Sequence, residues 1–241
     1  MFPIQDLNPT RRFPIVTYAL IALNVIVFFW EMSLSEGQLQ RAFLDLAAVP
    51  AHISASPFSV ETFLDILRSM FLHGGYEHII GNMLYLWLFG DNLEDRLGKL
   101  LYIVLYLVSG FAAAFAQVLI DPASTIPLVG ASGAIAGVLG GYLVMFPGVR
   151  VRGIVPLGRI SQMAEWPAYL VLGLWFVLQL FNGVTSLGVA TASGGGVAFF
   201  AHIGGFVVGL VLTLLFMQIA PQPPAAARKE LLYARSQRDR R

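Results

Sequence analysis

Six apolar runs constrain this chain more than anything else in it. They fall near residues 14–30, 76–90, 100–120, 131–147, 165–182 and 197–219. A bilayer core of about 30 Å is crossed by roughly 20 apolar residues in a helix. Helices are the natural solution there, because backbone N–H and C=O groups find no water to bond. Composition agrees: of 241 residues, 57% are hydrophobic and 12% are charged, about half the charge of an ordinary soluble domain. The expected fold class is all-α, a polytopic membrane protein with a six-transmembrane-helix bundle. The first run follows Arg11-Arg12 and has no small-residue cleavage site after it, so it reads as a retained span and not as a signal peptide. The second and fourth runs are short, as helices that begin below the surface beside a wet cavity would be. The chain has no cysteine, which excludes disulfides, thiolate metal sites and a cysteine nucleophile.

Basic residues orient the bundle. Of 15 Lys and Arg, only Arg41 and Arg68 lie in the loops after the first, third and fifth spans, leaving thirteen on the other side. The positive-inside rule then puts both termini in the cytosol. The expected location is the cell inner membrane, with multiple passes. Residues 1–220 are read as one membrane domain and 221–241, PQPPAAARKELLYARSQRDRR, as a basic cytosolic tail that touches anionic lipid. The first loop, 31–72, is too apolar to be simply solvated. Within it Val60, Phe63, Leu64, Leu67 and Phe71 share one helical face opposite Glu61, Asp65 and Arg68, the pattern of an interfacial helix.

With that orientation, spans two, four and six all begin near the outer face. Span two opens with HGGYEHIIGN, span four with GASG, and span six contains FFAHIGG. Ser132, His202, His78 and Asn82 therefore come from three helices and share one depth. Each has an ordinary reading: a packing serine, an interhelical hydrogen bond. Polar groups inside spans are costly, however, and their coincidence at one level points to chemistry. A serine hydroxyl needs a base within hydrogen-bond reach to attack a carbonyl. The oxyanion that forms needs donors, which an Asn amide, a second His and a backbone N–H at a helix start can supply. The GxxxG spacings Gly133/Gly137 and Gly205/Gly209 imply close helix contact, which would let a short Ser side chain reach a His.

These strings, GASGAIAG, HGGYEHIIGN and AHIGGFVVG, resemble the three motifs of the rhomboid family of intramembrane serine proteases, GxSG, HxxxxHxxxN and AHxxGxxxG. The resemblance covers roughly residues 10–220 and implies a six-helix core. By it Ser132 is the nucleophile and His202 the general base, a dyad without an aspartate. His78, Asn82 and the Ser132 N–H form the oxyanion hole, and the site opens toward the outer face. His73 matches an additional histidine that supports the first loop or the hole. Glu94, in GDNLEDRLG, matches an acidic residue that anchors the core, although a solvated helix-end charge fits the same string. The implied substrates are transmembrane proteins that enter sideways from the bilayer as partly unwound helices. No cofactor, metal or nucleic acid is implied. One position departs: where some members place a tyrosine one turn after the serine, against the histidine, this chain has Ala136.

Other classes fit less well. A zinc protease of the HExxH type needs two His at i and i+4, and His73 and His78 are five apart. An aspartyl type needs facing carboxylates, but Asp91, Asp95 and Asp121 lie at span ends. A transporter would show inverted repeats or midplane charge. A catalytically silent rhomboid-like scaffold that binds membrane helices is the main alternative, and such relatives have typically lost the Ser or the His.

Overall fold

The computed structural model describes residues 2–157, 160–187 and 198–220. The C-terminal tail and Arg159 lie outside them. The six expected spans appear as helices α1 (Ile15–Met32), α5 (Tyr76–Leu97), α6 (Lys99–Ile120), α7 (Ser132–Met145), α8 (Ala168–Ser186) and α9 (Phe199–Phe216). Four of these, α1, α6, α8 and α9, are long and apolar enough to cross a membrane unaided. The 14-residue α7 is too short, as expected, and is enclosed by its neighbours: eleven of its residues are buried.

The second span differs from expectation. It was read as ending near residue 90, but α5 runs on to Leu97 through Asp91, Asn92, Glu94 and Asp95. Burial with partners makes that polar extension possible. Glu94 is 4% exposed and accepts the backbone N–H groups of Val16 (3.0 Å) and Thr17 (2.8 Å) and the Thr17 hydroxyl (2.9 Å). The start of α1 has no side-chain cap of its own, so a carboxylate from α5 supplies one, matched to the positive end of the helix dipole. Of the two readings of Glu94, the buried anchor is the one the structure contains. Arg11 bonds Asp95 at 3.1 Å just outside.

The first loop folds into three helices, α2 (Glu36–Leu46), α3 (Pro50–Ala55) and α4 (Val60–Ser69). In α4, Thr62, Ile66 and Ser69 are buried, while Val60, Phe63, Leu64 and Leu67 remain exposed. Arg68 holds Glu61 and Asp65 at 2.7 and 2.6 Å. The helix is thus three-sided: one face on the bundle, one apolar face outward, one charged. Three backbone bonds tie this loop to the segment before Ser132: Ala51 N–H to Ser124 O (3.0 Å), Leu128 N–H to Ala48 O (2.8 Å) and Gly130 N–H to Ser69 O (2.9 Å).

A small antiparallel sheet was not anticipated. Strands β1 (Phe2–Asp6), β2 (Arg150–Leu157) and β3 (Ile160–Pro167) lie in the order β1-β2-β3. β2 and β3 pair from Arg150↔Pro167 to Leu157↔Ile160, and β1 pairs Phe2↔Ile154 through Asp6↔Val151. Pro3 sits at an irregularity of an edge strand, where its missing N–H is tolerated. Because β2 follows the C-terminal end of α7, the sheet lies at the opposite end of that helix from Ser132. Asp6 closes it onto the bundle, accepting from Asn92 Nδ2 (2.8 Å) and the Tyr142 hydroxyl (3.0 Å).

Candidate active site

Small residues bring α7 and α9 together. A Cβ added to Gly205 would fall on the Gly133 carbonyl oxygen, one on Gly209 against the Gly137 backbone, and one on Gly140 against the Phe206 carbonyl. No side chain larger than hydrogen fits at these crossings. Ser132 is the first residue of α7 and His202 lies in the first turn of α9. The close contact leaves Ser132 Oγ 2.8 Å from His202 Nε2.

The α5 residues stand on the other side of the turn into α7. His73 precedes α5, is 1% exposed, and donates its backbone N–H to Glu31 Oε1 of α1 at 2.9 Å. Its Nδ1 lies 3.2 Å from the Phe71 carbonyl. A carbonyl can only accept, so Nδ1 carries the ring hydrogen and Nε2 accepts from Asn82 Nδ2 at 2.9 Å. One hydrogen of the Asn82 amide is therefore fixed and the other is left to point elsewhere. His78 packs edge-on to His73, with ring centroids 5.1 Å apart. The Gly74 N–H donates to His78 Nδ1 at 3.4 Å, which leaves the hydrogen on Nε2.

Gly130 fits between these donors and Ser132. Its φ is +116°, and a Cβ there would lie 2.6 Å from His78 Nε2 and 3.4 Å from Asn82 Nδ2. Only glycine meets both conditions. Two side-chain donors thus face the turn that delivers Ser132, where the first N–H groups of α7 have no partner within the helix. All five residues singled out from the sequence (Ser132, His202, His78, Asn82 and His73) gather at this end of the bundle. Among the described residues no three His, Cys, Asp or Glu side chains are grouped to hold a metal.

Two neighbours of His202 were not anticipated, and both come from α8. Gln179 Oε1 lies 2.9 Å from His202 Nδ1. Trp175, one turn earlier, packs on the imidazole with centroids 5.9 Å apart and planes inclined by 35°. The aromatic support that Ala136 cannot give is supplied from a different helix. No motif marks either residue. The available signal is that Trp175 and Gln179 are i and i+4, hence on one face of a largely apolar span.

Comparison with known proteins follows the same lines. Residues 60–219 match the family model of the Rhomboid domain. RHOMBOID-like protein 4 of Arabidopsis thaliana is 31% identical over 152 residues, covering 63% of this chain and 34% of that protein. Rhomboid protein 1, mitochondrial, of Saccharomyces cerevisiae is 28% identical over 204 residues, 81% of this chain and 51% of that one. Rhomboid protease AarA of Providencia stuartii is 25% identical over 217 residues, 85% and 73% respectively. The chain thus spans a third to a half of the first two relatives and about three quarters of the third. With the domain match covering well over half its length, this polytopic, mostly helical membrane protein belongs to the rhomboid family.

Proposed function

We propose that the chain is a serine endopeptidase that hydrolyses peptide bonds in or near the transmembrane segments of other membrane proteins. The observation that carries this reading is the 2.8 Å contact of Ser132 Oγ with His202 Nε2. Beside it stand the donors of His78 and Asn82, which face the turn into α7. Family membership supports the reaction type, since rhomboids are generally serine proteases.

The chemistry uses the geometry directly. His202 Nε2 takes the Ser132 proton as Oγ bonds to the scissile carbonyl carbon. The carbonyl oxygen becomes an oxyanion, and the donors of His78, Asn82 and the Ser132 N–H are placed for it. His202 then gives the proton to the leaving amine, and the acyl-serine remains. Water, deprotonated at the same Nε2, attacks the acyl carbon, and His202 returns that proton to Ser132 Oγ as the ester bond breaks and the second product leaves as the acid. The donors strengthen their bonds only as charge develops, so they act on turnover more than on affinity.

The positive-inside count puts both termini in the cytosol and this site toward the outer face of a cell inner membrane. Residues 1–220 act as one unit, and substrates arrive from the bilayer. The test is cleavage of a model transmembrane substrate in liposomes together with labelling by a fluorophosphonate probe. Ser132→Ala removes one hydroxyl at a small-residue position. It is expected to abolish both readouts while leaving a folded, inserted protein; His202→Ala is expected to do the same. Wild type that is neither labelled nor active would leave a membrane-helix-binding scaffold as the reading.

A further inference from the structure

We infer that Gln179 is a positioning residue that fixes His202 in the tautomer able to act as a base, the third member of a Ser132–His202–Gln179 chain. This rests on the serine-protease reading above and deepens it. A neutral imidazole has one N–H. For Nε2 to accept the Ser132 proton, that hydrogen must sit on Nδ1. In the opposite tautomer Nε2–H would donate to Ser132 Oγ, a contact of the same length and no basic use. Bond length alone does not separate the two. The partner at Nδ1 does.

At 2.9 Å from Nδ1 stands Gln179 Oε1, an amide oxygen that only accepts. An Nδ1–H without an acceptor in this partly buried position is costly, so the amide selects the productive form. Trp175, four residues earlier on the same face, lies against the ring and limits its rotation. Together they perform what a buried carboxylate does in a Ser-His-Asp triad, namely orientation and choice of tautomer, but without a charge. That difference suits a site at membrane depth, where an extra carboxylate is expensive. The hydrogen-bond partners of the His202 ring are Ser132 Oγ of α7 and Gln179 Oε1 of α8. At Nδ1 the neighbour is thus a neutral amide and not a carboxylate.

The alternative is that Gln179 is merely an interhelical hydrogen bond holding α8 to α9. Two variants and two readouts separate these. Gln179→Leu keeps the side-chain bulk and removes the acceptor. Gln179→Glu keeps the acceptor and adds charge. In a transmembrane-substrate assay, Gln179→Leu is expected to lower kcat and the fluorophosphonate labelling rate about 10- to 100-fold, with KM unchanged. Gln179→Glu is expected to retain turnover but move the acid limb of the rate–pH profile upward by about one to three units, because a carboxylate favours the imidazolium. Independently of activity, 15N shifts of the His202 ring in the Ser132→Ala background should report Nδ1–H with Gln179 present. With Leu at 179 they should report a mixed or Nε2–H form.

Wild-type kcat in Gln179→Leu, an unmoved acid limb in Gln179→Glu, or an unchanged ring signal would each overturn the inference while leaving the proposed reaction standing. Absence of cleavage and labelling in wild type would instead sink the reaction, and the ring signal would still decide whether Gln179 sets the tautomer.

Discussion

At the scale of residues, the α5 donors are held in series. Glu31 fixes the backbone of His73, the His73 ring fixes one hydrogen of the Asn82 amide, and the other hydrogen stays available beside Gly130. If that amide serves a developing oxyanion, Asn82→Ala should cut kcat by about 10²–10³ with little change in KM. His73→Leu should do the same to a smaller extent, since it frees the amide without removing it. Steady-state kinetics on a transmembrane substrate, with KM and kcat resolved, check both, and a change in KM alone would reassign Asn82 to packing. Ser132, His202, His78, Asn82 and His73 could be singled out from the sequence because each occupies a motif whose spacing reflects a helix start or a helix face, and the structure brings them to one end of the bundle. Gln179 could not be. A glutamine in an apolar span has no spacing that betrays its partner, and its meaning comes only from the helix that faces it.

At the scale of elements, the decisive contact is α7 against α9, where glycine replaces side chains at each crossing. Gly205→Val would press methyl groups onto the Gly133 carbonyl, and backbone cannot step aside as a side chain can. Overpacking of this kind costs about 1–3 kcal/mol or more, and here it also separates Ser132 from His202. Loss of thermal stability in detergent and loss of cleavage should therefore appear together. Gly173→Ala is the control: a Cβ at Gly173 of α8 meets nothing within 4 Å, and both properties should be unchanged. The six spans were readable from apolar length because lipid imposes that length. Their ends were less so, since α5 continues through residues whose polarity is answered by Asp6, Thr17 and Arg11. The sheet was missed for a related reason. Residues 150–167 are short alternating stretches joined by the two residues Gly158-Arg159, a weak hairpin signal overshadowed by the spans on either side.

At the scale of the whole molecule, the end of the bundle opposite Ser132 is the fastened one. Glu94 caps α1, Arg11 meets Asp95, and Asp6 joins α5 and α7. Glu94→Ala would leave the first N–H groups of α1 buried without an acceptor and remove three bonds to a charged group. A loss of about 2–4 kcal/mol is expected, read as a lower melting temperature, with kcat of the surviving folded protein near wild type because the lesion is far from Ser132. Wild-type stability would mean that water reaches the helix start. The pairing of β1 with β2 also sets a timetable. Phe2 waits for Ile154, and at about 5–20 residues per second of synthesis that interval is on the order of ten to thirty seconds. During it the N-terminal strand has no sheet to join, although α1, α5 and α6 have already been made. The helix bearing Ser132 emerges next, then the sheet can close, and α9 with His202 is the last of the described helices to emerge. A nascent chain therefore carries the Ser132 hydroxyl for 70 residues of synthesis before His202 exists. The proposed pair is complete only after the framework that will contain it has been translated.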